Sequence, residues 1–389
     1  MIAGGTARLH IEKMNYFEKD GFALGYRFPS KRFESGVGDS SENNFMGLYS
    51  MAEVKDGNLV LSRDVLGGKP IYYSINDGVQ FCSCRKFLKN PVEVGKGETL
   101  VFSPEGELVK RERRKFQDVY QRTPYLADLG NIVRKIEEIL IKGKPEDSVI
   151  SFSGGLDSSL LASMFRFPLI SVTSSEKEEK ILREGAESLG LPLNLKKFSE
   201  RDVEEVLPEV IRAIESSNPL QVSIAIPLYI SAMEARELGF RSVVLGQGAD
   251  ELFGGYSRYV KVLEQDGYGS LEDELIKDLM EIGEKNLLRD SKISYAVKIK
   301  MITPYLSSEM IKLSLRTPPE FKIKKEGNKF IRKYVLRKVA ERYLNKEIAL
   351  REKKAIQYST GTVKILRKIA RKRGYTIERY LELIENDIG

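Results

Sequence analysis

Seven consecutive residues, Ser153-Gly154-Gly155-Leu156-Asp157-Ser158-Ser159, carry the chemistry most readily read from this chain. They follow the apolar run Val149-Ile150-Ser151-Phe152 and lead into Leu160, Leu161 and Met164 at helical spacing. A small-residue loop between a strand and a helix can hold a phosphate. Adjacent glycines let the backbone approach the anion, and the helix N-terminus adds N–H donors and the positive end of its dipole. Ser153, Ser158 and Ser159 can add hydroxyl donors. Asp157 repels a phosphate on its own and makes sense where Mg²⁺ bridges the two. The Gly-x-x-x-x-Gly-Lys-Ser/Thr loop is missing from the sequence, so the pyrophosphate end of ATP would be gripped in another way. Taken alone, the stretch also reads as an ordinary glycine-rich turn.

A second stretch repeats the pattern: Val243-Val244-Leu245-Gly246-Gln247-Gly248-Ala249-Asp250-Glu251-Leu252-Phe253-Gly254-Gly255-Tyr256. It is not a dinucleotide fingerprint, because Glu251 stands where the third glycine is required. Asp250 can join Asp157 as an oxygen ligand of the same metal. The plainer reading is an acid pair at a helix N-terminus, favoured there by the dipole.

The elements that must position these residues fall into two regimes. Up to about Phe116 the chain reads as β-rich, with strand-like segments at Gly47–Val54, Asn58–Ser62, Ile71–Ile75 and Glu98–Phe102. Asp56-Gly57, Asn76-Asp77-Gly78 and Pro104-Glu105-Gly106 mark turns between several of them. The charged Lys110–Lys115 and polar Gln117–Thr123 then mark a boundary, giving expected domains of 1–117 and 118–389. Beyond it helices and strands alternate. Leu129, Ile132, Val133, Ile136, Ile139 and Leu140 share a helical face, and strands are expected at Val149–Phe152, Leu169–Thr173, Leu193–Lys196 and Ser242–Leu245. Helices are expected at Glu178–Leu189, near Asp202–Glu215 and at Leu228–Leu238. Such alternation implies a parallel sheet covered on both faces, with ligands at the carboxyl ends of its strands. From about Leu271 onward the chain reads as mostly helical.

At 389 residues there is room for two domains, and 41% apolar with 31% charged residues describes a globular chain. No apolar run is long enough to span a bilayer and no export signal is evident, so cytoplasmic residence is expected. Cys82 and Cys84 are too few for a disulfide framework or a cysteine zinc site, and His10 is the only histidine. The net charge of +7 includes basic runs at Lys110–Lys115 and Lys364–Arg373. With no nucleic-acid module beside them they read as solvated faces.

Together the two loop motifs resemble the ATP-dependent domain of the asparagine synthetase family. The likeness extends to Asn286-Leu287-Leu288-Arg289-Asp290, Thr303-Pro304-Tyr305-Leu306 and the lysine-bearing Arg351-Glu352-Lys353-Lys354-Ala355-Ile356-Gln357-Tyr358. Upstream, Leu61 to Tyr73 is similar to part of the family's amino-terminal glutaminase domain, so the match runs from about Phe45 onward. The resemblance implies a parallel-sheet ATP-pyrophosphatase (PP-loop, Rossmann-like) domain followed by helices, preceded by a β-rich, degenerate Ntn-type domain. It implies ATP and Mg²⁺, with Asp157 and Asp250 holding the metal. Ser153, Gly154, Gly155, Ser158, Ser159 and Gly246 would place the nucleotide, and Lys353 would neutralise charge developing on the phosphates. A carboxylate, aspartate in the family's main branch, would be adenylated with loss of pyrophosphate and then taken up by ammonia or an amine.

Several positions depart from the family's pattern. Glutamine users carry an N-terminal cysteine nucleophile, whereas this sequence begins Met1-Ile2-Ala3-Gly4-Gly5 and Cys84 stands where the family has Glu. Loss of glutamine hydrolysis is therefore expected, and the two cysteines read as structural. The family's Gly-Glu-Gly-Ala-Asp-Glu has become Gly246 to Glu251 with Gln247, and an amide cannot accept a proton from an amine. Its Glu-x-Arg-x-Pro-Phe-Leu-Asp has become Lys300 to Ser307. Ser359 replaces the usual glycine after Gln357-Tyr358. Three readings stay open: an asparagine synthetase fed by free ammonia or by a separate glutaminase subunit; a ligase of the β-lactam synthetase kind with another carboxylate and amine; and a catalytically silent ATP-binding subunit. A homodimer is compatible with each.

Overall fold

The computed structural model describes residues 48–76, 78–345 and 360–388, together with the backbone of two short strands at 4–7 and 33–34. The first part is built from β1 (Gly4–Ala7), β2 (Phe33–Glu34), β3 (Ser50–Lys55), β4 (Asn58–Arg63), β5 (Tyr72–Ile75), β6 (Val79–Cys82), β7 (Val92–Glu93), β8 (Glu98–Phe102) and β9 (Leu108–Arg113). They form two antiparallel sheets, in the orders β1-β6-β5-β7 and β2-β3-β4-β8-β9. Alternate residues from both sheets, among them Leu59, Leu61, Tyr73, Phe81, Leu100 and Phe102, close one shared core.

The second part follows with α1 (Phe116–Val119), α2 (Leu129–Lys142), β10 (Ser148–Ser151), α3 (Leu156–Phe165), β11 (Leu169–Thr173), α4 (Glu176–Leu189), β12 (Leu193–Lys197), α5 (Glu200–Ile214), α6 (Pro219–Glu237), β13 (Ser242–Val244), α7 (Ala249–Phe253), α8 (Ser257–Ile282), α9 (Leu288–Val297) and β14 (Lys300–Ile302). After them come α10 (Ser308–Leu315), α11 (Pro319–Lys322), the antiparallel pair β15 (Ile323–Glu326) and β16 (Lys329–Arg332), α12 (Tyr334–Ala340), α13 (Thr362–Lys372) and α14 (Ile377–Ile388). A parallel sheet runs in the order β12-β11-β10-β13-β14. The chain lays down β10, β11 and β12 in one direction and then returns to add β13 and β14 on the other side. The direction reverses between β10 and β13, so the crevice of such a sheet opens where these two strands end.

Both faces of the sheet are covered. Ile150 and Val244 point into one core and Val149 and Val243 into the other, the alternation expected of strands buried on both sides. Helix starts are fixed locally: Ser175 caps α4, Ser199 and Asp202 form a capping box on α5, and Asn218 caps α6 with Pro219 in its first turn.

The architecture agrees with the α/β reading, and several details differ from the expected elements, among them the charged run at 110–113, which is part of β9 and pairs with β8. Helix α6 begins at Pro219, nine residues before the expected Leu228, and continues through the buried Pro227. The region after Leu271 is not purely helical: Lys300–Ile302 extends the parallel sheet and 323–332 forms a hairpin. The basic run at 364–373 lies largely on α13, where Lys368 and Lys372 meet Glu200 and Arg373 meets Glu204 at 2.9 Å. Much of that charge is thus spent on α5. Among the described residues no helix is long and apolar enough to cross a membrane.

The two parts share packing. Leu48 and Leu66 belong to the same core as Ile282 and Leu287. Between α8 and α9 the chain makes a π-helical turn at Gly283–Leu287, a form often found where side chains must be re-aimed.

Candidate active site

The loop after β10 is held open by backbone conformation and closed on itself by hydroxyls. Gly154 has φ of 66°, a left-handed turn that glycine makes without penalty. Ser158 Oγ accepts the Ser153 N–H at 3.1 Å, lies 3.1 Å from Ser153 Oγ and donates to the Gly155 carbonyl at 3.3 Å. Helix α3 starts immediately after Gly155 and directs its first-turn N–H groups out of the sheet. Behind it, the buried Tyr305 hydroxyl donates to the Asp157 carbonyl at 3.2 Å.

The loop after β13 comes close to the first. A Cβ at Gly246 would stand 3.1 Å from Asp157 Cβ. Gly255 is more constrained, since a Cβ there would fall 1.8 Å from Asp250 Oδ1 and 2.3 Å from Lys333 Cε. Glycine at 255 is what lets the chain pass over the Asp250 carboxylate.

Asp157 and Asp250 meet at one point. Lys333 Nζ lies 2.7 and 2.6 Å from the two Asp157 carboxylate oxygens and 2.7 Å from Asp250 Oδ1. All three side chains are buried or nearly so, Lys333 at 5% exposure, Asp250 at 7% and Asp157 at 14%. Sequence reasoning missed Lys333. The signal available was a local misfit: Lys333 is the N-cap of α12, the helix end where a cation is disfavoured.

These residues border a cavity of about 720 Å³, within the range of small-molecule sites. Among the described residues, six cationic side chains line it against four acidic ones, an excess that suits a polyanion. Its acids are each held in a web. Glu251 accepts from the Tyr256 hydroxyl at 2.6 Å and from Asn286 Nδ2 at 3.3 Å. Asp278 accepts from Tyr259 at 2.6 Å, from Lys285 at 3.3 Å and from Arg258. Burial alone would raise the Asp278 pKa, but these donors hold it below the usual carboxylate range.

The third acid, Asp290, lies beside Gln247. Gln247 Nε2 donates to Asp290 Oδ2 at 2.7 Å, and Arg289 grips Asp290 Oδ1 through Nε at 2.9 Å and Nη2 at 2.7 Å. Arg289 Nη1 then reaches Gln221 Oε1 at 3.1 Å, and Gln221 Nε2 donates to the Lys285 carbonyl at 3.1 Å. This chain of bonds ties the loop after β13 to α6, α9 and the π turn. A buried carboxylate therefore stands beside position 247 although 247 itself is an amide.

Of the residues singled out from sequence, Ser153, Gly155, Asp157, Ser158 and Gly246 line the cavity, and Asp250 reaches it through Lys333. Gly154 shapes the loop without lining the cavity, and Ser159 is fully buried away from it. Lys353 lies outside the described residues. Asp157 and Asp250 converging on one ammonium form an oxygen donor pair that fits Mg²⁺, which takes one or two carboxylates and completes its shell with phosphate and water.

Residues 149–268 and 263–376 match the family model described as asparagine synthase. The chain is 32% identical to a putative glutamine-hydrolysing asparagine synthetase of Methanocaldococcus jannaschii, over 99% of this chain and 82% of that protein. It is 26% identical to asparagine synthetase 1 of Lotus japonicus, over 87% of this chain, and 26% identical to the nodule asparagine synthetase of Pisum sativum, over 81%. The chain spans only 64% and 58% of those two plant proteins. Among solved structures, the NH3-dependent NAD synthetase of Campylobacter jejuni aligns at 14% identity and a TM-score of 0.28, over 42% of this chain and 96% of that one. A likeness that loose says nothing of activity.

Proposed function

Because the chain belongs to the asparagine synthase family, and so is an ATP-dependent, amide-forming carbon–nitrogen ligase, we propose that it adenylates a carboxylate and passes the acyl group to ammonia or an amine without hydrolysing glutamine itself. The observation that carries this reading is the meeting of Asp157 and Asp250 at one cation, at the mouths of two adjacent parallel strands. Mg²⁺ held there by the two carboxylates would neutralise polyphosphate charge. The first-turn N–H groups of α3, with Lys333, Arg332 and Arg337 also lining the cavity, suit the phosphates of ATP. Lys353 is assigned to the same task by its place in the family's motif.

In the first step a substrate carboxylate oxygen bonds to the α-phosphorus and the bond to pyrophosphate breaks. In the second, the amine nitrogen bonds to the acyl carbon, the bond to AMP oxygen breaks, and the amine gives up a proton. The Gln247 amide cannot take that proton. We assign that proton to Asp290, which accepts from the Gln247 amide at 2.7 Å and is oriented by it and by Arg289.

The amino-terminal segment, taken as 1–117 with the synthetase at 118–389, is read as non-catalytic. Its two cysteines support this: burial pushes the Cys82 thiol up to about 12 and also raises that of Cys84, the reverse of an activated nucleophile. Ammonia would come free or from a separate glutaminase. A second reading, a ligase with another carboxylate and amine, is favoured by Gln247 and by Lys300, Ile302 and Ser307 where the family carries charges of its own.

Substrate-dependent ATP–pyrophosphate exchange with Mg²⁺, for wild type and Asp157→Asn, tests the proposal. L-Aspartate would be compared with a panel of other carboxylates. Exchange with aspartate, lost in the variant, supports the asparagine reading, and exchange with another acid alone supports the second. ATP binding with no exchange for any acid overturns adenylation and leaves the silent ATP-binding role.

A further inference from the structure

The amino-terminal part reaches into the corner that carries the amine-side residues. The Leu66 carbonyl sits against Gly283, where a Cβ would be 1.7 Å from that oxygen. Ser291 Oγ donates to the Gly68 carbonyl at 2.7 Å. Gly68 packs against Leu287 and Leu48: a Cβ would meet Leu287 Cδ1 at 3.0 Å and Leu48 Cδ2 at 2.9 Å, so those side chains would have to shift. The loop is itself rigid, because Asp64 Oδ1 accepts the N–H groups of Leu66 at 2.9 Å and Gly67 at 2.8 Å. Its last residue, Lys69, is buried. Asp64 of its own loop, Asp290 of α9 and Lys300 of β14 all act on its charge, while Asp290 itself is paired with Arg289.

These contacts clamp both ends of the π turn. Gly283 enters it and Ser291 follows it, and the residues between supply Lys285, Asn286, Arg289 and Asp290 to the cavity. Two buried charges of opposite sign, Lys69 and Asp290, lie on opposite sides of the boundary between the two parts. A charge buried at such a seam is costly unless an opposite charge offsets it, and the opposite charges that act on Lys69 are Asp64 and Asp290.

We propose that the loop Asp64–Lys69 is a positioning element of the amide-forming step, clamping the 283–291 corner and setting, through Lys69, the charge environment of Asp290. The proposal rests on the reading of the cavity as an adenylating site with Asp290 on the amine side. It gives the amino-terminal part a task that needs no nucleophile. Lys69 is a positioning residue, acting through Asp290.

Burial brings the Lys69 ammonium down to about 8, with Asp64 and Asp290 opposing that shift and Lys300 adding to it. Lys69 is therefore charged at neutral pH and loses its charge within the working range of an amine ligase. At saturating amine, wild-type turnover falls as pH rises through about 8.

Lys69→Met is the first test, with both half-reactions measured. Pyrophosphate exchange stays within about threefold of wild type, amine-dependent amide formation drops about tenfold or more, and the limb near pH 8 disappears. Equal losses in both half-reactions, or an unchanged limb, overturn the proposal. The second test is Gly283→Ala, whose methyl wedges the corner off the Leu66 carbonyl. Amide hydrogen exchange across 283–291 quickens by about tenfold while β10 and β13 stay protected. If wild type exchanges no pyrophosphate with any acid, the reading of the cavity falls and the clamp is judged on hydrogen exchange alone. Unchanged protection at 283–291 in Gly283→Ala then overturns it.

Discussion

Lys333→Met removes a cation that, among the described residues, Asp157 and Asp250 share, and its cost follows from the geometry. Both carboxylates lie within 2.7 Å of the same ammonium, which puts their oxygens no more than about 5.4 Å apart. At an effective dielectric of about 20, like charges about 5 Å apart repel by about 3 kcal/mol. Breaking a buried ion pair by deleting one partner costs about 3–5 kcal/mol by mutational precedent. The two figures agree, and the low exposure of all three groups leaves little solvent screening. Lys333→Met is therefore expected to lose about 3–5 kcal/mol, lowering Tm by roughly 5–10 °C. The assay is thermal and urea unfolding with and without Mg²⁺ or Mn²⁺, without nucleotide. Because the loss is mostly repulsion, neutralising one acid restores much of it, and the double variant Lys333→Met/Asp250→Asn should be more stable than Lys333→Met alone. Divalent cation should likewise raise the Tm of the single variant more than that of wild type. A double variant no more stable than the single, with no cation effect, would refute the electrostatic argument.

Gly255→Ala places a methyl 1.8 Å from Asp250 Oδ1 and 2.3 Å from Lys333 Cε; pyrophosphate exchange should fall by about 10²-fold with the far-ultraviolet circular dichroism unchanged. Gln247→Glu puts a second carboxylate where the amide now sits 2.7 Å from Asp290, so the pair must share a proton. The folded-state pKa of the new acid is raised, so the variant's stability deficit is smallest near pH 4 and grows through about pH 5–7, as denaturant melts at stepped pH would show. Lys69 works with the opposite sign. Its pKa is lowered to about 8, so between about pH 8 and 10.5 the unfolded chain binds more protons and stability from this group rises with pH. Lys69→Met should therefore be no less stable than wild type at pH 7, with the rise above pH 8 missing from its urea midpoints.

The elements around the nucleotide loops were legible because several local signals agree there. Apolar runs of strand length end in glycine and give way to helical spacing, and a parallel sheet follows from their alternation. Elements were missed where the signals conflict. Pro227 reads as a break, yet it lies inside α6, whose start is fixed by Asn218 and Pro219. Strand β14 has only three residues, Lys300-Met301-Ile302, too short for a period to show, and it exists because β13 offers it an edge. Half of the residues in the 323–332 hairpin are charged and it turns at Gly327 with φ of 60°, so its pairing is set by the turn more than by burial.

Charged side chains are harder to read than strands, because a charge in a sequence carries no address. Lys333 sits among Lys329, Arg332, Arg337 and Lys338 and looks like any of them, until the fold returns it to Asp157 across 176 positions. Asp290 follows Arg289 in a stretch that resembles the family's, but nothing in the sequence says that both are buried or that Asp290 meets Gln247 43 positions away. The same limit applies to the reading of Gln247 as a lost base. Replacing an acid by an amide removes a proton acceptor only if no other carboxylate stands within reach, and sequence cannot show that distance. Here the amide donates to a carboxylate at 2.7 Å, whereas a glutamate in its place would face Asp290 as a like charge. Gln247 and Asp290 thus form a compatible pair. Either Gln247→Glu or Asp290→Asn alone should cost more stability in urea melts than the double variant Gln247→Glu/Asp290→Asn, which reverses the pair and keeps one acid and one amide.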